Sequence, residues 1–297
     1  MPAILNSSER KGHQAAMVEE KQREFRFTRK NFNFLRKISN QRTGIVVSDD
    51  KFDMFYSRLS RRVRALGLSD FSAYCAYVRD DPSGKEVLEL VNAITTNLTA
   101  FFRERHHFDY LSRTVIPQIR QGNAAQRRLR IWSAGCSTGE EPYSLAITLR
   151  EAASQLSGWD YRINATDIDS NVLATAARGV YPLERTKGIE HARLKRWFFR
   201  GHGANQGLVR VKPSLRELID FGQLNLMEDW QMEGPLDVIF CRNVIIYFDK
   251  ETKARLVDRY AQNLKLGGYL FIGHSESLYK VSERFESIGN TIYRRVA

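Results

Sequence analysis

Residues 130–142, RIWSAGCSTGEEP, have the spacing of a turn that binds a nucleotide-like ligand. The short apolar run 129–132 predicts a strand, and the small residues 133–139 predict a loop. A helix is predicted to begin at Glu140, with Pro142 in its first turn, where the missing N–H costs nothing. This order of strand, glycine turn and helix N-terminus lets backbone N–H groups approach a ligand closely. The loop is therefore a candidate cofactor site.

Two carboxylates at the end of this loop indicate which cofactor it suits. Glu140 and Glu141 stand where a pyrophosphate would be repelled, and they suit a ligand with an ammonium group, a sulfonium or free hydroxyls. S-adenosylmethionine has all three. The loop alone leaves an alternative open, an ordinary strand-to-helix turn whose glutamates are favoured by the helix dipole.

The next predicted strand, residues 161–166, ends at Asp167, and a helical stretch begins at Asn171. An acid at the carboxyl end of the second strand of a βαβ unit is placed to accept hydrogen bonds from ribose hydroxyls. Its separation from the loop exceeds the roughly 20 residues of the dinucleotide motif, so the intervening helix or its connection is long. We predict that Asp167 accepts hydrogen bonds from the ribose hydroxyls. Asp169 could serve only as a helix N-cap.

Three further blocks extend this pattern: NAITTNLTAFFRER at 92–105, LDVIFCRNVIIYFDK at 236–250 and LGGYLFIGHSESL at 266–278. Together with WSAGCSTGEEPYS and ATDID, they resemble the chemotaxis receptor methyltransferases, the CheR family, over about residues 32–293. The resemblance implies methyl esterification of chemoreceptor glutamates with S-adenosyl-L-methionine, which becomes S-adenosyl-L-homocysteine, and no metal. It also implies an α/β fold, a Rossmann-like and mostly parallel sheet with helices on both faces, a small antiparallel β insertion and an N-terminal helical domain.

The resemblance also implies site residues. It places the cofactor on Asn97, Thr99, Arg103, one glutamate of the Glu140 and Glu141 pair, Asp167, Asn225, Leu226, Arg242 and Asn243. It places Arg103 and Tyr247 at the positions that orient the reacting groups.

Methyl transfer to a carboxylate needs positioning and desolvation more than acid–base help. An arginine can hold the carboxylate and leave a lone pair directed at the methyl carbon, and we expect this role of Arg103, with Tyr247 lining the same pocket. Without the resemblance, a surface salt bridge of Arg103 with Glu104 or Glu140, and a core position for Tyr247, would be the preferred interpretations.

The composition predicts a cytoplasmic globular protein of 297 residues, 42% hydrophobic and 27% charged. No apolar run approaches the roughly 20 residues that span a bilayer, and the N-terminus lacks a signal peptide pattern. Cysteines 75, 136 and 241 are odd in number and widely spaced, which indicates neither disulfides nor a metal site. We expect a monomer.

The net charge of +12 predicts an acidic partner. In residues 55–66, one predicted helical face is apolar, with Phe55, Leu59, Val63 and Leu66. Four arginines lie beside or behind that face, and we predict that they dock the acidic cytoplasmic helices of chemoreceptors: Arg58, Arg61, Arg62 and Arg64. The alternative is a solvated face on a small helical domain.

The pattern along the chain predicts four parts. Residues 1–30 form a flexible basic arm, 31–90 a helical receptor-docking domain, 91–128 a helical linker that contributes to the cofactor site, and 129–297 the methyltransferase domain. An insertion at about 180–216 interrupts the last part, with two strands predicted at 196–200 and 207–211. It resembles the family members that bind a receptor C-terminal peptide as an added strand.

Two other classes of function stay open. A nucleic-acid methyltransferase would explain the charge, but no RNA-binding module is recognisable, and 241–244, CRNV, lacks the Asn-Pro-Pro-Tyr step of enzymes that methylate nitrogen. No nucleic-acid partner is therefore expected. A non-catalytic module that binds S-adenosylmethionine is the other alternative. His106, His107 and His274 lack metal-ligand spacing and are interpreted as structural or pocket-lining residues.

Overall fold

The computed structural model describes residues 23–297. Most of the arm predicted at 1–30 lies outside the described residues, and the first helix, α1, spans Arg29–Thr43. Thr28 caps α1 by accepting from the Asn31 N–H, while the Asn31 side chain accepts from the Thr28 N–H. This reciprocal cap fixes where α1 begins.

Four helices form the N-terminal unit: α1, α2 (Phe52–Ala65), α3 (Phe71–Asp80) and α4 (Lys85–Ile94). They bury a shared core that includes Phe32, Leu35 and Tyr74. The predicted apolar face of α2 is confirmed, because Phe55, Leu59 and Val63 are fully buried in this core, with Leu66 partly buried beside them.

The arginines of α2 depart from the predicted docking face. Arg62 binds the buried carboxylate of Glu86 through both Nε and Nη2, at 2.8 and 2.5 Å. Arg58 donates to the carbonyl oxygens of Ile94 and Thr95 at the end of α4.

Arg64 pairs with Glu24, and only Arg61 of the four is exposed without a hydrogen bond or ion pair to another described residue. Arg58 and Arg62 therefore join helices of the unit, whereas the exposed Arg64 pairs with a residue before α1.

The helical linker predicted at 91–128 is interrupted. Residues 95–105 are not helical, and helix resumes as α5 (His106–Tyr110), a π-helical turn (Leu111–Val115) and α6 (Ile116–Gly122). Phe102 and Glu104 have positive φ angles of 52° and 56°, which a helix cannot contain. The NLTAFFRER block is therefore a loop.

Seven strands build the main sheet in the order β6-β2-β1-β7-β8-β10-β9. Their bounds are β1 (Arg128–Ala134), β2 (Asp160–Asp167), β6 (Ile219–Gln223), β7 (Leu236–Cys241), β8 (Leu264–Ile272), β9 (Phe285–Gly289) and β10 (Ile292–Arg295). The first five strands in this order pair in parallel, and β10 pairs antiparallel with both neighbours. Strand β1 lies between β2 and β7, where the order of connection reverses and α/β proteins place their ligands.

Helices cover both faces of this sheet, as predicted. One face packs with α7 (Glu140–Glu151) and the 106–122 helices around Ile131, Phe240 and Phe271. The other packs with α11 (Lys250–Asn263) around Trp132 and Tyr260. Successive side chains along each strand therefore point into two separate cores, one on each face of the sheet. Within the described residues, no helix is both long and apolar enough to cross a membrane.

The insertion contains three strands where the sequence predicted two. The small sheet has the order β3-β5-β4, with β3 (Val180–Pro182), β4 (Phe198–Arg200) and β5 (Leu208–Val211) all antiparallel. The predicted strand at 196–200 is shorter, because α9 (His191–Trp197) occupies its first two residues. Two further helices flank this region, α8 (Ser170–Arg178) and α10 (Pro213–Arg216).

Candidate cofactor and active site

A cavity of about 440 Å³ opens at the carboxyl ends of β1, β2, β6 and β7. Nine of the predicted site residues line it: Asn97, Thr99, Arg103, Glu141, Asp167, Asn225, Leu226, Arg242 and Asn243. Tyr247 lines it as well, and Glu140 does not. Predicted site residues from five separated segments of the chain thus line one space, whereas the 266–278 block contributes no lining residue.

The loop after β1 forms one wall of this cavity. Gly135 and Gly139 have φ angles of 84° and 97°, and a Cβ on Gly135 would collide with the Val244 side chain. Gly139 is the N-cap of α7, which begins at Glu140 as predicted. Glycine is therefore required here for both the turn and the close approach of the backbone.

Asp167 ends β2 and is buried beside this loop. One carboxylate oxygen accepts from the Ser137 N–H at 2.8 Å, and the other accepts from the Asp169 N–H at 3.0 Å. Burial raises the pKa of Asp167, against the effect of these backbone hydrogen bonds. Each oxygen keeps a further lone pair, so the carboxylate can still accept from a ligand's hydroxyls.

The two glutamates of the loop face different surroundings. Glu141 lines the cavity and accepts from Ser133 Oγ at 2.7 Å and from Arg242 Nη1 at 3.0 Å. Glu140 is fully buried and is held by Arg185 and by Thr138 Oγ1. Of the pair, Glu141 is therefore the one that can meet a ligand in the cavity.

Arg242 is a buried cation beneath the cavity. Its guanidinium lies between Glu141 and Glu104, 3.3 Å from Glu104 Oε2, and also donates to the Arg103 carbonyl oxygen. Burial would raise the pKa of Glu104, but the Arg242 charge and the His274 hydrogen bond hold it below its usual value. Burial raises the pKa of Glu141 despite Arg242.

Asn97 and Thr99 belong to the loop that crosses the cavity. The Asn97 amide donates to Asp169 Oδ2 at 2.8 Å, and its carbonyl oxygen accepts from Ser137 Oγ at 3.0 Å. Asp169 caps α8, as the sequence suggested. Its Oδ2 also accepts a hydrogen bond from Thr95 Oγ1 at 2.9 Å. This acid therefore joins the loop to the second strand.

Arg103 and Tyr247 are half-buried at the same cavity. Arg103 makes no ion pair with Glu104 or Glu140 in the structure, and its Nη1 donates to the Leu98 carbonyl oxygen at 2.9 Å. Tyr247 follows β7 in a short 3₁₀ turn, lines the cavity and is not a buried core residue. Both residues therefore border the cavity.

Asn225 and Leu226 line the cavity after β6, and Asn243 lines it after β7. The Asn225 amide donates to the Arg42 carbonyl oxygen at 2.7 Å, which connects this edge to α1. Asn243 has a φ of 59°, a conformation that asparagine tolerates better than most residues.

Glu276 is a structural residue of the site that sequence reasoning missed. Its buried carboxylate accepts from the backbone N–H groups of Asn243, Ile246 and Gly273. It thereby holds the turn that carries Arg242, Asn243 and Tyr247. The signal was present in GHSES, an acid just past the end of a buried strand, but no spacing rule distinguishes it from a surface acid.

The histidines are closer to an acid than their spacing predicted. Glu104, His106 and His107 offer ligand atoms within 4.8 Å of one another. The Glu104 carboxylate already pairs with Arg242, and His107 Nε2 is 2.9 Å from the Asn290 carbonyl oxygen. Burial and the Arg242 charge lower the pKa of His107 to about 4, so it is neutral at pH 7. We therefore interpret Glu104, His106 and His107 as part of the packing beneath the cavity.

The cavity suits S-adenosylmethionine in three respects. It offers apolar side chains for a purine, including Ile168, Leu226 and Phe248. It presents a buried carboxylate, Asp167, at the strand end where ribose hydroxyls are bound, and a second one, Glu141, at the helix start. The loop 133–139 contains no lysine that would favour a phosphate there, although Lys51 lines the cavity elsewhere. Fold and site together define a methyltransferase that uses S-adenosylmethionine.

Comparison with known proteins identifies the family. The family described as CheR methyltransferase, SAM binding domain, matches residues 97–294, and the CheR all-alpha domain matches residues 30–95. Chemotaxis protein methyltransferase 2 of Pseudomonas aeruginosa is 48% identical over 273 residues, covering 91% of this chain and 94% of that protein. Chemotaxis protein methyltransferases of Salmonella typhimurium and Escherichia coli are 44% and 43% identical, covering 89% of this chain and 89% and 90% of theirs. The chain belongs to the CheR methyltransferase family.

The contrast between the two glutamates gives the first prediction. Glu141→Gln should weaken S-adenosylhomocysteine binding about tenfold, because Glu141 lines the cavity and accepts a hydrogen bond from Arg242. Glu140→Gln should weaken it less, because Glu140 points toward Arg185. Calorimetric titration of both variants checks this, and an equal loss, or a larger one in Glu140→Gln, would contradict the assignment.

Proposed function

We propose that this methyltransferase forms methyl esters on glutamate side chains of chemoreceptor cytoplasmic domains, as part of sensory adaptation in chemotaxis. The observation that carries the proposal is the meeting of Arg103 and Tyr247 with Asp167 and Glu141 at one cavity. The printed names of the relatives, chemotaxis protein methyltransferases, support the pathway. The expected cytoplasmic location and monomeric state belong to the same proposal.

Bound S-adenosylmethionine supplies an electrophilic methyl group on a sulfonium. The residues of the chain do the positioning. Asp167 and Glu141 hold the polar ends of the cofactor, and Arg103 binds one oxygen of the substrate carboxylate. Tyr247 limits where the carboxylate can sit. The half-buried setting of both side chains removes water from a nucleophile that hydration would weaken.

Removing the Arg103 side chain tests this role. Arg103→Ala should lower kcat on receptor fragments on the order of 100-fold, because the carboxylate loses its orientation. The measurement is transfer of labelled methyl from S-adenosylmethionine to membranes containing chemoreceptors, with the ester identified by methanol released in mild base. Arg105→Ala is a matched control, since Arg105 is exposed and pairs with Glu190. Wild-type turnover in Arg103→Ala would refute the mechanism.

The same assay separates the alternative functions. A module that only binds the cofactor would titrate with S-adenosylhomocysteine and transfer no label. A nucleic-acid methyltransferase would label oligonucleotides instead of receptors. The family membership and the arrangement of Arg103 and Tyr247 at the cavity favour the receptor enzyme over both.

The helical N-terminal unit is proposed to dock the acidic receptor helices through α2. Of the four arginines expected there, Arg61 is the exposed one with no partner among the described residues, so it is the one that can meet an outside carboxylate. Arg58 and Arg62 are engaged within the unit, and reversing their charge would damage the fold as well.

A single charge reversal tests the docking face cleanly. Arg61→Glu should lower the methylation rate of receptor fragments about threefold to fivefold at low salt, because like charges would then face each other. Affinity for S-adenosylhomocysteine should be unchanged. Arg120→Glu, the same change at an exposed position on α6, is the control. If both variants lose activity equally, or neither loses any, the receptor docks elsewhere.

The insertion is proposed to bind a receptor C-terminal peptide as an added strand. Strands β3 and β4 are the two edges of its sheet, with β5 between them. Pro182 lacks an N–H, so the β3 edge is a poor partner for a further strand. Strand β4 contains no proline. Phe199 on β4 is 53% exposed and would contact the side chains of an added strand. The alternative is that the insertion is only a structural flap beside the cofactor cleft.

Peptide titration distinguishes these roles. C-terminal peptides of co-resident chemoreceptors should bind the protein in the micromolar range, and Phe199→Ser should weaken binding about tenfold. Ile288→Ser is the control, because Ile288 is 40% exposed on β9, the edge strand of the main sheet. If no peptide binds and receptors without tails are methylated at the full rate, only the flap remains.

A further inference from the structure

Exposed apolar side chains occur beside the cavity that holds Arg103 and Tyr247. Leu98 is 75% exposed and Val46 is 51% exposed, and both line the cavity. Ile246, 42% exposed, directly precedes Tyr247. We call Val46, Leu98 and Ile246 the apolar rim. It combines segments from the helical unit, the NLTAFFRER loop and the turn after β7.

Main-chain contacts tie the rim to the two groups proposed to orient the substrate. The Leu98 carbonyl oxygen accepts from Arg103 Nη1 at 2.9 Å. The Val46 N–H donates to the Tyr247 carbonyl oxygen at 2.8 Å, beside a bridge between Ile45 and Phe248. Anything that places a carboxylate against Arg103 and Tyr247 therefore brings its neighbouring groups onto these apolar side chains.

The cofactor alone does not account for the rim. A ligand seated inside the cavity covers only its walls, and Ile246, 42% exposed, is not among the residues that line it. Single exposed apolar residues are ordinary, but grouping at the mouth of an active site marks a contact surface. The occupant is also expected to carry an anionic group, since Arg103 lines the same cavity.

We propose that the apolar rim recognises the receptor helix next to the modified glutamate. On a helix, side chains three or four positions from a residue lie on the same face. The rim therefore selects glutamates that have an apolar side chain at one of these positions, and the surrounding apolar contact excludes water from the carboxylate. This inference rests on the proposed function, because it specifies the substrate of the same site.

Serine substitutions test the rim without touching Arg103 or Tyr247. Leu98→Ser alone should raise KM for a receptor cytoplasmic fragment. The triple variant, which adds Val46→Ser and Ile246→Ser, should raise this KM about tenfold. The kcat and the calorimetric Kd for S-adenosylhomocysteine should stay within twofold of wild type. Leu266→Ser is the matched control, because Leu266 is 71% exposed near the start of β8, at the opposite end of the strand from the cavity.

The substrate side completes the test. Receptor fragments in which the apolar residue three or four positions from the glutamate is changed to serine should be poorer substrates for the wild type. They should show no further loss with the triple variant, because the contact is already gone. Unchanged KM in the triple variant would overturn the proposal. A loss of S-adenosylhomocysteine affinity in the triple variant would also overturn it, because the rim would then cover the cofactor. So would the loss of a dimer seen by light scattering, because the rim would then be an interface between two copies of this chain. No ester formed by the wild type would instead refute the proposed function itself.

Discussion

The site depends on one buried cation. Arg242 is almost fully enclosed and joins Glu141 at the start of α7 to Glu104 in the loop that carries Arg103. Removing one member of such a buried network typically costs about 3–5 kcal/mol, because the remaining charges are left uncompensated. The network therefore fixes the relative positions of the two walls of the cavity, and it explains why an arginine directly follows β7.

Four of the eight non-glycine residues with positive φ in the described part of the chain lie near this network. Phe102, Glu104, Ser137 and Asn243 all have positive φ angles, and all lie in the segments that surround the cavity. Each such residue costs on the order of 1–3 kcal/mol unless its surroundings hold it. The Arg242 network holds Glu104, Asp167 holds Ser137 and Glu276 holds Asn243. The Arg242 network and two buried carboxylates thus support three of these four conformations.

The sequence predicted the parts of the fold that follow from local patterns. Hydrophobic periodicity located the α2 core face and the alternating strands and helices, and the glycine loop located the start of α7. The sequence did not predict the interrupted helix at 95–105, because the positive φ angles there are imposed by tertiary contacts. It missed β3 as a strand, since three residues ending in a proline carry little strand signal. It also could not show that Arg62 pairs with Glu86, because an arginine beside a helix face looks the same whether its partner is a receptor or the next helix.

The insertion is attached firmly to the cofactor loop, which bears on how a bound tail would act. Arg185 reaches Glu140, and the Tyr181 hydroxyl donates to the Thr138 carbonyl oxygen at 2.7 Å. The Phe101 ring packs edge-on against the Tyr181 and Phe198 rings, with centroids 5.1 and 5.5 Å away. A peptide bound at β4, as proposed, would therefore be held at a defined distance from the cavity. The effective concentration of the substrate glutamate would then be set by the length of receptor chain between the bound tail and that glutamate. The insertion would add little to this distance distribution, because it is fixed relative to the cavity.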